Sequence, residues 1–174
     1  MLTAAPILKT NIAKSYSQGR KREDVVSELL LTKGYKVAVS SYLEDWYQDI
    51  DLWVSGHSFS VKAPKKRYPN LCLEYYSVHR NGDLDPSWFL TSKAEYLALL
   101  QPDNSLTVYS FDRLRAFMVS STIPLTGLSS ELVEKNRNTT SENGKPYAFI
   151  DCRNKNVPLN TLNNCEVSYH GQAN

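Results

Sequence analysis

Two short runs of the chain carry residue types that together could bind a hard cation and steady a developing negative charge. Asp51 to Ser55 and Ser58 to Lys62 read as strands, and Gly56-His57 between them suits a two-residue hairpin turn. In that register Ser55 lies opposite Ser58, Trp53 opposite Ser60 and Asp51 opposite Lys62. Cross-strand partners share a face, so Asp51, Ser60 and Lys62 gather on one side, joined by Asp49 if the strand extends back to it. An isolated Asp/Lys pair of this kind is most often a plain ion pair. Further carboxylates change the chemistry, and Glu23 on a preceding helix and Glu74 on a following strand are placed to reach the same edge. Converging carboxylates repel unless a divalent cation sits among their oxygens, and magnesium takes a few carboxylates together with phosphate and water. Glu23 alone would be a solvated first-turn helix residue. Glu74 interrupts an apolar, aromatic strand, where an acid needs a partner or a metal.

The elements that must position these groups follow from periodicity. Arg22 to Lys33 places Val25, Val26, Leu29 and Leu30 at helical spacing, and Gly34 supplies the stop. Tyr35 to Ser40 reads as a strand and Tyr42 to Gln48 as a loop or turn. Leu71 to Val78 alternates and reads as a third strand of the same sheet. Asn81-Gly82 and Asp85-Pro86 mark turns. Ser92 to Leu100 has the look of a short helix, Leu106 to Ser110 of a strand, and Asp112 to Ser120 of a helix opening on an N-cap residue. Beyond about residue 121 the pattern weakens: Tyr147 to Asp151 reads as a strand and Val157 to Leu159 as an edge segment. Asn136 to Lys145 and the tail from Asn163 are loop-like. The expected architecture is α/β: one domain over residues 1–174, with a central mixed sheet of four to five strands flanked by helices and an irregular C-terminal region from about 121.

Composition narrows the function classes. A hydrophobic share of 41% over 174 residues is enough for one buried core, and no run approaches a membrane span. The opening residues lack a signal peptide's apolar block, which gives a cytoplasmic expectation. Cys72, Cys152 and Cys165 have neither C-x-x-C spacing nor histidine partners, so reduced thiols are expected rather than a disulfide framework or a zinc site. A net charge of +2 does not by itself imply a polyanion partner. Local clusters do offer contacts: Arg20, Lys21 and Arg22 form one, and Lys62, Lys65, Lys66 and Arg67 another, although runs of this length are more often solvated surface.

Taken in order, Gly19, Glu23, a helix ending at Gly34-Tyr35, Asp51 opening a strand, and Lys62 two places after Ser60 resemble the PD-(D/E)XK nuclease superfamily. The helix from Glu23 to Gly34 resembles the first helix of its Holliday-junction resolvase branch. Residues Asp85 to Tyr96, with the Trp88-Phe89 pair, resemble a segment of phage-encoded and resolvase-like nucleases. On composition alone that aromatic pair reads as core. The resemblance covers roughly Gly19 to Ser110, and its motifs are short.

The resemblance implies a restriction-endonuclease-like fold and a magnesium- or manganese-dependent endonuclease acting on nucleic acid, with DNA the expected substrate. It implies catalytic roles for Asp51, Lys62, Glu74, Glu23 and Ser60, metal ligation by Asp51, Glu74 and Glu23, and backbone contacts from Lys65, Lys66, Arg67 and Lys21. Ser60 departs from the family pattern, which has an acid two residues before the lysine. Some restriction enzymes of the superfamily share this serine and supply the carboxylate from further along the chain, a role for which Glu74 is the candidate. Two readings compete: a nuclease fold that binds nucleic acid without metal chemistry, and a protein-interaction domain presenting its tyrosines. Double-strand or junction cutting would need two symmetry-related sites, so a homodimer fits the nuclease reading.

Overall fold

The computed structural model describes residues 9–79, 81–127 and 149–168. In chain order these form α1 (Lys9–Thr32), β1 (Val37–Val39), α2 (Tyr42–Gln48), β2 (Leu52–Val54), β3 (His57–Lys62), β4 (Asn70–His79), β5 (Leu84–Pro86), α3 (Trp88–Thr91), β6 (Tyr96–Leu100), β7 (Leu106–Ser110), α4 (Phe111–Ser120), β8 (Phe149–Pro158) and a 3-10 turn, Leu159–Thr161. The fold is α/β. A mixed five-stranded sheet runs in the order β1-β2-β3-β6-β7, with β3 and β6 parallel and the other neighbours antiparallel.

A parallel neighbour demands a crossover, and residues 63–95 provide it while contributing β4 and β5 to a second sheet ordered β5-β4-β8. The five-stranded sheet is therefore buried on both faces. On one, Val26 and Leu30 of α1 pack against Leu52, Val54, Phe59, Ala98 and Leu100. On the other, Leu97, Leu99 and Tyr109 meet Leu71 and Leu73 of the second sheet, Phe89 of α3, and Phe111 and Leu114 of α4. Among the described residues no helix is long and apolar enough to cross a membrane, and all three cysteines are free.

Several local expectations need correction. Tyr42–Gln48 is a helix, closed by a capping box in which Ser41 Oγ accepts from Glu44 N–H and the Glu44 carboxylate accepts from Ser41 N–H. Leu71–Val78 lies within β4, but in the second sheet rather than the first. Tyr96–Leu100 is a strand, not the end of a helix: β6 is central and buried on both faces, so its apolar run carries no alternation. Asp85-Pro86 lies in β5, and α4 is capped by Ser110, not Asp112. Within the C-terminal region, Phe149–Pro158 pairs along β4 as β8, whereas residues 136–145 and the tail beyond residue 168 lie outside the described residues.

The hairpin turn is Ser55-Gly56, with φ of 49° and 90°, the left-handed pair that a type I′ turn requires. Val54 thus faces His57 and Trp53 faces Ser58, two residues along from the predicted Ser60. A slip of two keeps each side chain on its face, so the expected grouping survives with different partners.

Candidate active site

Lys62, at the end of β3, reaches Asp49 rather than Asp51: Nζ donates to Asp49 Oδ1 at 2.7 Å. Ser60 Oγ donates to the other oxygen, Asp49 Oδ2, also at 2.7 Å. Asp49 holds this position as the left-handed C-cap of α2, with φ 53° and ψ 42°. The shortened ladder and the helical turn before it together bring Asp49 over β3. The Lys62 ammonium also sits over the Trp88 ring, 4.8 Å from its centroid, so it is gripped from two sides.

Asp51 is buried, only 7% exposed, and its Oδ2 accepts from Val61 N–H at 2.6 Å. Burial pushes this carboxyl up to about 6, against the pull of the Lys62 ammonium and the Val61 hydrogen bond, while Asp49 and Asp45 push it further. Glu23 lies on α1, where Arg20 one turn earlier donates to its Oε2 at 2.7 Å and to Asp45 Oδ2 at 3.1 Å. Burial first, then the Asp51 charge, raises Glu23 to about 7 in spite of Arg20. Two carboxylates of raised pKa thus lie around the end of β3, a pattern common at functional sites.

Val61 and Lys62 point to opposite faces, and each face opens into a cleft. The first, about 620 Å³, is lined by Gly19, Lys21, Arg22, Glu23, Val61, Ala63 and Lys65. The second, about 520 Å³, is lined by Lys62, Glu74, Trp88, Leu99 and neighbours from the β3–β4 connection. Glu74 accepts from Ser87 Oγ at 3.1 Å in that second cleft. The structure therefore gathers Ser60 and Lys62 on Asp49, with Asp51 close enough to feel the Lys62 charge, while Glu23 interacts with Asp51 but opens into the other cleft. It sets Glu74 across the cleft from Lys62, without a hydrogen bond to the Asp51 cluster.

Of the basic candidates, Lys21 and Lys65 flank Glu23, Lys66 is exposed, and Arg67 pairs with Asp103 at 3.0 Å. Trp88 and Phe89 belong to the core cluster, Trp88 as its partly buried edge. Glu95 accepts from Ser58 N–H and Oγ, fastening the start of β3 beside β6. Sequence reasoning missed Asp45 and made Asp49 conditional. The signal for both was the Ser41-x-x-Glu44 capping box, which makes residues 42–48 a helix and throws Asp49 back over the strand.

Among the described residues no three His, Cys, Asp or Glu side chains are grouped to hold a metal ion. The oxygen-only pair of Glu23 and Asp51 nevertheless fits magnesium or manganese, which take one or two carboxylates and complete their shell with water and substrate phosphate. No family model, characterised protein or solved structure matches the chain.

Proposed function

We propose that this protein is a metal-dependent nuclease of restriction-endonuclease-like architecture that hydrolyses phosphodiesters, acting on DNA as a cytoplasmic endonuclease. One observation carries the reading: the buried Asp51 carboxylate, its pKa raised, interacts with the Lys62 ammonium and with Glu23, a second carboxylate of raised pKa that lines a cleft edged by Lys21, Arg22 and Lys65. Asp51 and Glu23 would hold magnesium or manganese, which when bound supplies positive charge for the phosphate oxygens and lowers the pKa of a water. Lys62, fixed by Asp49 and Trp88, orients the attacking water and stabilises charge developing on the phosphate. Ser60 holds the second oxygen of Asp49 and is a positioning residue. Glu74 supplies a further carboxylate from the opposite wall, and Lys21, Lys65, Lys66 and Arg67 contact the backbone.

The test is cleavage of plasmid and oligonucleotide DNA in magnesium or manganese by the wild type, Asp51→Ala and Lys62→Ala. Loss of cleavage in both variants supports the assignment; full activity in both removes it. The separation of Glu74 from Asp51 favours a second reading, a nuclease fold that binds nucleic acid without chemistry. Calorimetry showing no magnesium or manganese binding, with DNA affinity intact, would select it.

A further inference from the structure

Helix α2 is amphipathic the wrong way round. Its two acidic side chains turn inward: Glu44 accepts from Trp53 Nε1 at 3.2 Å, and Asp45 takes Arg20. Its outward positions, spaced i, i+1, i+4 and i+5, are Tyr42, Leu43, Trp46 and Tyr47, which are 60%, 62%, 63% and 72% exposed. A surface helix normally buries such a stripe, and four large side chains side by side exceed the scattered exposure usual on a monomer. The rings are also ordered: Tyr42 and Trp46 stack, their centroids 6.0 Å apart at an interplanar angle of 19°.

Its placement indicates what covers it. The Ser41 capping box fixes one end of α2, and Asp49 fixes the other to Ser60 and Lys62. Between them Asp45 joins the helix through Arg20 to Glu23, which lines the cleft edged by Lys21, Arg22 and Lys65. An aromatic surface tied rigidly to a cationic groove matches a strand of phosphates whose bases are unpaired. Phosphates follow the positive charge while bases, which all have π faces, stack on aromatic rings. A base pair inside an intact duplex offers no free face for such stacking.

We infer that α2 is a stacking platform for unpaired nucleobases, which makes single-stranded segments, as in flaps, gaps or open junctions, the preferred ligand of this site. The inference rests on the nuclease reading for its placement, but it is tested by binding alone. Oligothymidylate and a duplex of equal length are titrated in metal-free buffer containing a chelator, with wild type, Trp46→Ala, Tyr47→Ala and Asp51→Asn. The single strand should bind more tightly than the duplex. Trp46→Ala and Tyr47→Ala should each weaken oligothymidylate binding by about tenfold and leave duplex affinity unchanged. Binding should also quench the fluorescence of Trp46, a signal absent in Trp46→Phe.

Unchanged oligothymidylate affinity in both alanine variants overturns the inference. It is equally overturned if sedimentation shows a dimer that Trp46→Ala dissociates while the monomer's affinity for the single strand stays the same, because the occupant is then a second copy. The two readings fail separately. A wild type that never cleaves DNA but loses single-strand affinity in Trp46→Ala defeats the nuclease and keeps the platform. Cleavage lost in Asp51→Asn with unaltered affinity in Trp46→Ala does the reverse.

Discussion

Asp49 Oδ1 accepts from Lys62 Nζ at 2.7 Å, and this pair fixes the ammonium of the proposed site. Asp49 does so from the left-handed C-cap of α2, a conformation that asparagine adopts readily and alanine does not. Asp49→Asn should therefore keep the fold while removing the charge that holds Lys62. Cleavage is expected to fall by about tenfold or more, with DNA affinity in chelator unchanged. Asp49→Ala should show the same loss and a drop in stability of about 1 kcal/mol in urea titration. Equal cleavage by wild type and Asp49→Asn would show that Lys62 is positioned by other means.

Asp51 and Glu23 set the pH dependence of stability. Both folded values, about 6 and about 7, lie above the ordinary 3.8 and 4.5. The native state therefore binds these protons more tightly than the unfolded chain does. Their contribution is present at low pH and is lost as pH rises from about 4 through 7. Each group contributes on the order of 2 to 3 kcal/mol to that loss. At pH 8 Asp51→Asn, which keeps an acceptor for Val61 N–H, should melt about 5 °C above the wild type, with the gap closing near pH 4. Magnesium should raise the wild-type melting temperature more at pH 8 than at pH 5. Thermal melts across pH measure both; an Asp51→Asn protein no more stable at pH 8 would contradict the burial cost.

These residues also show how much of the site was legible in the chain. The grouping of Asp51, Ser60 and Lys62 on one face follows from alternation, which a slip of two leaves intact. Their partners do not, because the turn is Ser55-Gly56, and non-glycine Ser55 adopts positive φ there. The helix over Val25 to Leu30 was readable because its apolar positions face the core. Helix α2 was not, since its apolar positions face solvent and only its capping box marks it. Strand β6, buried on both faces, has the apolar run of a core helix and no period to separate the two. Glu74 was read as an acid needing a partner or a metal; it accepts from Ser87, and β4, which carries it, lies in the second sheet rather than the first.

Glu74 opens into the same cleft as Lys62 and Trp88, which makes its contribution separable from that of Asp51. Glu74→Gln retains an acceptor for Ser87 Oγ and should leave the melting temperature within about 2 °C of wild type. If the carboxylate takes part in cleavage, activity in magnesium falls by about a hundredfold, near the loss from removing one stabilising group in an active site. Undiminished cleavage in Glu74→Gln would leave Glu23 and Asp51 as the whole acidic set.

The basic groups divide by their present partners. Lys21 and Lys65 edge the cleft beside Glu23, whereas the exposed Arg67 guanidinium pairs with Asp103 at 3.0 Å. A cation that neutralises a phosphate adds about 0.9 to the slope of log affinity against log salt for duplex DNA, and about 0.7 for a single strand. Lys21→Ala and Lys65→Ala should each reduce that slope by nearly one such step, weakening binding alike across sequences. Arg67→Ala should reduce it less, because Asp103 already offsets part of its charge. Fluorescence anisotropy at several salt concentrations gives the slopes. If Lys65→Ala keeps the wild-type slope, the phosphate path does not follow the Glu23 cleft, and the placement of the backbone along Lys21 and Lys65 is wrong.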